Sequence, residues 1–125
     1  MNINIKATGI ELTEAIRNYV LKKISSVEKY TEKKEGVIAQ VEVGKTTKHH
    51  KSGDVFRAEV KMSGAGIDVY AVSEGPDLYA AIDLVEAEVT RELLRLKGRQ
   101  ASLLRRGERM IKDMMRGIRN PFGKK

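Results

Sequence analysis

The stretch GPDLYAAIDLVEAEVTRELLRLKGR, residues 75–99, decides how the rest of the chain must fold. Its apolar residues Leu78, Ile82, Val85, Val89, Leu93 and Leu96 recur at steps of three and four, which puts them on one stripe of an α-helix. A stripe of that kind has to be buried against something. Pro76 suits a first helical turn, where its missing N–H has no partner to lose, and Asp77 sets negative charge near the positive helix end. At the far end Arg91, Arg95, Lys97 and Arg99 collect where the helix dipole favours cations, and Gly98 offers a stop. The predicted element is one long helix with an apolar underside and a basic C-terminal end.

Upstream, residues 1–7 alternate, with Ile3 and Ile5 on one face, and read as a short strand ended by Thr8-Gly9. Thr13 suits the N-cap of a helix running to about Tyr30, in which Ile16, Tyr19, Val20, Ile24 and Val27 keep helical spacing. Val37, Ala39, Val41 and Val43 then alternate with polar or exposed neighbours; so do Phe56, Ala58, Val60 and Met62, and after them Ile67, Val69 and Ala71. Between these strands lie a basic loop, KTTKHHKSG (45–53), and a Gly-rich turn at 63–66. The order is β-α-β-β-β-α. Three consecutive strands joined by loops predict an antiparallel meander with both helices on its single apolar face, an α+β two-layer sandwich with a four-stranded sheet. Gln40, Glu42, Arg57, Glu59, Lys61 and Asp68 fall on the other, polar face.

A chain of 125 residues is most simply one domain with a tail, here residues 1–99 and 100–125. It holds no run of about 18 apolar residues, so no membrane-spanning helix is expected, and no apolar leader follows Met1. Cys is absent, which removes disulfides, thiol nucleophiles and Cys-based metal sites. The expected location is the cytoplasm.

The net charge of +7 is informative once located. Residues 1–98 balance 15 Lys/Arg against 15 Asp/Glu, while residues 99–125 carry nine Lys/Arg against Glu108 and Asp113. A basic tail on a neutral body points to an anionic partner, nucleic acid before a membrane surface. At about 100° per residue, Arg105, Arg109, Lys112, Arg116 and Arg119 fall within roughly 80° of a helical wheel. Leu103, Leu104, Met110, Ile111, Met114, Met115 and Ile118 take the other side. Gly107 and Gly117 each cost about 1 kcal/mol relative to Ala inside a helix. The tail is therefore expected to be marginal alone, to become helical on docking, and to end at Pro121.

Little in the chain suggests catalysis. Asp77 and Asp83 read as helix-end charge and as an exposed or hydrogen-bonded structural group, and Tyr79, beside Ala80 and Ala81, as a packing ring. His49 and His50 with Asp54 make a weak metal site, because adjacent side chains diverge in extended chain and no third soft ligand is near. Gly64-Ala65-Gly66 lacks the following helix and Lys of a phosphate loop. No enzyme activity, cofactor, metal or small-molecule substrate is expected. Only six Phe and Tyr residues are present, too few for a single-strand stacking platform.

The block Asp77-Leu78-Tyr79-Ala80-Ala81-Ile82-Asp83 resembles the DMYAAID-type signature of the ribosome hibernation-promoting factor and ribosome-associated inhibitor family. The likeness extends back through Thr13-Glu14-Ala15-Ile16-Arg17, Tyr19-Val20 and Tyr30, and forward to Arg91, Leu93, Arg95 and Lys97. It covers about residues 1–99. The family's fold is a β-α-β-β-β-α sandwich like a double-stranded-RNA-binding domain, which the periodicities reach separately.

The resemblance implies binding to the small ribosomal subunit, in the channel of messenger RNA and the A- and P-site transfer RNAs, with no reaction catalysed. Family contacts to ribosomal RNA would map to Arg17, Lys23, Arg91, Arg95, Lys97 and Arg99. Lys45, Lys48 and Lys51 read equally as an RNA-facing loop or a solvated one. Cations at phosphate give salt-dependent affinity with little sequence preference, as suits structured RNA read by shape. Two departures stand out: Glu88 and Glu92 occupy places where relatives often carry Lys and Gln, and the tail is too short for the family's long-form C-terminal domain. The resemblance is to the family's short type, with an extension of its own, and a protein monomeric off the ribosome is expected.

The tail has three readings: an RNA groove, an anionic membrane, or a protein surface for its Met-rich face. An interfacial membrane helix usually carries Trp or Phe and more Leu, and only Phe122 is present. RNA contact through Arg105, Arg109, Lys112 and Arg116, without a membrane partner, is the expectation. Two readings from other classes stay open: a general binder of double-stranded or structured RNA, and a small hydrolase or metal enzyme built on His49, His50 and Asp54.

Overall fold

Strand alternation and helical stripes settle into β1 (Asn2–Thr8), α1 (Glu14–Ser25), β2 (Ile38–Thr47), β3 (Asp54–Gly64), β4 (Ile67–Gly75) and α2 (Leu78–Arg119) in a computed structural model. The structure describes residues 1–32, 35–47 and 54–119. The expected Pro121 stop and the loop residues Lys48, His49, His50 and Lys51 lie outside them, as does the side chain of Asp54.

The sheet runs β1-β2-β3-β4. The meander β2-β3-β4 is antiparallel, with Val41 opposite Val60 and Val60 opposite Ala71. β1 adds to β2 in parallel, Ile3 beside Ala39 and Ile5 beside Val41. A parallel neighbour needs a crossover, and α1 supplies it.

One face of the sheet makes the core. Val37, Ala39, Val41, Val43, Ala58, Val60, Met62, Ile67, Val69 and Ala71 are buried there. Val20 and Ile24 of α1 and Leu78, Ile82, Val85, Val89 and Leu93 of α2 are buried too, so both helices cover that face. Apolar burial at about 25 cal/mol per Å² makes this layer the main source of stability.

Local chemistry fixes the ends. The Thr13 hydroxyl accepts from Ile16 N–H at 3.2 Å and caps α1. α1 stops earlier than its spacing predicts. Residues Ser26–Thr31 tighten into a 3-10 turn, and the Ser25 and Ser26 hydroxyls donate back to the Lys22 and Lys23 carbonyls at 3.2 and 2.6 Å. Such local bonds offer the backbone an alternative to the α ladder. Between β3 and β4, Ala65 and Gly66 take φ of 54° and 82°, the two positive values of a type I′ hairpin. At Gly64, φ is 109°, and a Cβ would overlap the Gly36 carbonyl oxygen, so only glycine fits.

Three further expectations need correction. Pro76 stands before the helix, and Asp77 is the true N-cap, its Oδ1 accepting from Ala80 N–H at 2.9 Å. The loop predicted from Lys45 begins later, because Lys45 continues β2 opposite Phe56. Gly98 is no stop. α2 passes through Gly98 and Gly107 without a left-handed residue, since an interior glycine costs only about 1 kcal/mol and a terminator needs the left-handed turn as well.

By compactness the chain divides into two units, Met1–Leu93 and Leu94–Lys125.

Candidate nucleic-acid interface

In the first unit the open sheet face is a mixture of signs. Tyr70 hydroxyl donates to Glu59, Arg57 lies 3.7 Å from the same carboxylate, and Thr8 hydroxyl donates to Glu42 at 2.6 Å. Glu42 stands opposite Glu59 in the register. With its carboxylates interleaved among Lys6, Arg57 and Lys61, this face does not present the one-signed surface that phosphate contact needs.

The helices present their cations differently. Arg17 is exposed on α1. Lys23, one turn and a half further on, is held: its Nζ sits 3.3 Å from Asp83 Oδ1 on α2. The Tyr19 hydroxyl donates to the same oxygen at 2.6 Å. Lys23 Nζ also lies 5.6 Å from the Tyr19 ring centroid, and Tyr79 meets that ring edge-on at 4.8 Å. This four-residue lock ties α1 to α2. Hydrogen bonding from Tyr19, joined by the Lys23 charge, holds the Asp83 carboxyl below its ordinary range; the same carboxylate pushes the Tyr19 phenol and the Lys23 ammonium up.

Asp83 is thus the hydrogen-bonded structural group its sequence context suggests, and Asp77 is a cap. Tyr79 packs on Tyr19 while keeping 43% of its surface exposed.

Arg91 is exposed on α2, and its Nη1 pairs with Glu88 Oε2 at 2.6 Å. The Glu88 carboxylate therefore lies against a residue expected from the sequence to meet RNA. Lys45 is exposed at the end of β2, and Lys48 and Lys51 lie outside the described residues.

The second unit carries Arg95, Lys97, Arg99, Arg105, Arg109, Lys112 and Arg116, all exposed on α2. Arg95 and Arg99 follow one another by a helical turn, whereas Lys97 points about 160° to 200° away from them at 100° per residue. Arg105, Arg109, Lys112 and Arg116 share one side.

The lock among Tyr19, Lys23, Tyr79 and Asp83 escapes sequence reasoning, for its halves are 64 residues apart. The available signal is that Tyr19 and Lys23 are one helical turn apart on the margin of the apolar stripe. Among the described residues no group of three His, Asp or Glu side chains could hold a metal ion.

A β-α-β-β-β-α sandwich with exposed cations on its helices and a mixed-sign sheet face defines a small α+β protein. Comparison with known proteins gives the family. Residues 3–101 match the model described as "Sigma 54 modulation protein / S30EA ribosomal protein", and the chain belongs to that family. A ribosome hibernation promoting factor of Azotobacter vinelandii is 33% identical over 100 residues, covering 80% of this chain and 86% of the relative. The crystal structure of the Thermus thermophilus Protein Y N-terminal domain superposes with a TM-score of 0.64 at 31% identity, over 77% of this chain and 99% of that one. A ribosomal subunit interface protein from Coxiella burnetii shares the fold with a TM-score of 0.65 at 17% identity, over 78% and 99%.

Proposed function

We propose that this protein is a ribosome hibernation factor that binds the small ribosomal subunit, occupies the channel of messenger RNA and the A- and P-site transfer RNAs, and blocks translation by occupancy without catalysing a reaction. The observation that carries the reading is membership of the S30EA ribosomal protein family over residues 3–101. Relatives bearing the name ribosome hibernation promoting factor, 33% identical over most of the chain, support the ribosome over a general duplex-RNA partner.

The body, residues 1–99, would meet ribosomal RNA through Arg17, Lys23, Arg91, Arg95, Lys97 and Arg99, with Lys45, Lys48 and Lys51 at the β2–β3 connection. Residues 100–125 would add Arg105, Arg109, Lys112 and Arg116 along RNA phosphates. The protein acts as a cytoplasmic monomer off the ribosome. Guanidinium and ammonium groups at phosphate release counterions, so affinity should fall steeply with salt. Sucrose-gradient sedimentation with separated subunits at moderate salt tests the reading. Pelleting with small subunits is expected, and failure to pellet with any ribosomal particle, or preference for naked duplex RNA, would remove it.

A further inference from the structure

Between residues 103 and 116 the four cations proposed to meet RNA phosphate, Arg105, Arg109, Lys112 and Arg116, lie on one side of α2. On its other side Leu103, Leu104, Met110, Ile111, Met114 and Met115 are each 53–68% exposed. At 100° per residue these six fall within roughly 140° of the helical wheel, and Arg105, Arg109, Lys112 and Arg116 lie opposite, within roughly 60°. Neither carboxylate of the segment, Glu108 or Asp113, enters the apolar arc. Exposed apolar patches of this size mark interaction sites.

We infer that residues 99–119 form an interfacial helix that lies on an anionic lipid bilayer, its Leu/Met/Ile side in the acyl boundary and its Arg/Lys side at the headgroup phosphates. The physical ground is that such a surface meets both sides of the helix at once. RNA satisfies the cations and leaves six apolar side chains in water. A second copy covers the apolar side but brings together two segments that each carry seven Lys/Arg against two carboxylates. An anionic interface offers a low-polarity layer beneath a sheet of negative charge, the environment in which a strongly amphipathic, basic helix of low net hydrophobicity settles. Long Arg and Lys side chains reach headgroups from the upper side of such a helix. No helix among the described residues is long and apolar enough to cross a membrane, so the geometry is one of lying on the surface. Sequence composition argues against this partner for want of Trp. The structure adds that the described apolar side chains from Leu103 to Met115 are exposed, and Met, flexible and polarizable, adapts to an irregular boundary.

The inference goes beyond the ribosomal reading and stands or falls without ribosomes. Full-length protein is floated with vesicles of phosphatidylcholine and with vesicles containing phosphatidylglycerol, over a range of salt. Flotation at least about tenfold greater with the anionic vesicles, declining with salt, is expected. Met110→Gln with Met114→Gln keeps the charge and a helix-favouring residue; it should lose most of that flotation while still pelleting with small subunits. Absence of flotation with phosphatidylglycerol vesicles overturns the inference, and so does equal flotation of the double variant. Sedimentation equilibrium without lipid gives a third outcome: a dimer that the double variant turns into a monomer assigns the face to a second copy and also overturns it.

Discussion

The Tyr19 hydroxyl donates to Asp83 Oδ1 at 2.6 Å and so ties the middle of α1 to the first turns of α2. Lys23 Nζ shares the same carboxylate at 3.3 Å. Two residues of α1 are thereby fixed by one side chain of the Asp77–Asp83 block. The contact joins the two helices that cover one face of the sheet.

Stability should follow the charge of Asp83. Its carboxyl is held below the ordinary value of 3.8, so its contribution is present above that pH and lost as pH falls through the lowered value. Lys23 is raised above 10.5, so its share is present below that pH and lost as pH climbs past the folded value. Asp83→Asn should lower the thermal midpoint at neutral pH, and the gap from wild type should narrow as pH falls below 3.8 and close once it passes the lowered folded value. Midpoints measured across pH check this; a constant gap would mean that the charge contributes nothing.

Arg91 and Glu88 allow a test in both directions. The ion pair is exposed and worth about 1 kcal/mol or less to stability, so Arg91→Glu with Arg95→Glu should leave the thermal midpoint nearly unchanged. Ribosome affinity should drop about tenfold or more, as expected when two phosphate contacts become repulsions. Glu88→Gln frees the Arg91 guanidinium and should tighten binding a few-fold. Equal affinities in a pelleting titration would clear these residues of the role.

Much of this was open to view in the sequence, and the reason is physical. Val41, Val60 and Ile82 sit on strict periods of 2 or 3.6, and a residue's period reports which side of its own element is buried. Parallel pairing of β1 and β2 depends on the crossover, which no local pattern records. The continuity of α2 through Gly98 was hidden because a glycine at a basic helix end looks like a terminator whether or not it turns left-handed. At the candidate site, charge clustering showed the cations, but that Lys23 is held by Asp83 and Arg91 by Glu88 belongs to contacts between side chains.

Removing residues 101–125 should weaken ribosome binding and flatten its salt dependence. Each lost phosphate contact takes roughly 0.7–0.9 from the slope of log K against log salt. The slope comes from pelleting titrations at several salt concentrations. An unchanged slope would free the segment from RNA contact.

The β3–β4 hairpin rests on Gly64. With φ at 109° and the Gly36 carbonyl against the place of a Cβ, Gly64→Ala should cost on the order of 2 kcal/mol or more. Ile82→Ala, in the core under α2, should cost about 2–5 kcal/mol through its cavity. Urea unfolding of both variants gives the values, and a loss below about 0.5 kcal/mol in either would contradict the packing described.

An electron cryo-microscopy map of the protein on the small subunit bears most directly on how it acts. Density for the sandwich in the messenger RNA channel, with α1 and α2 toward ribosomal RNA and the sheet's mixed-sign face turned away, is the expected result. A subunit carrying the protein elsewhere while messenger and transfer RNA still bind in their usual places would contradict inhibition by occupancy.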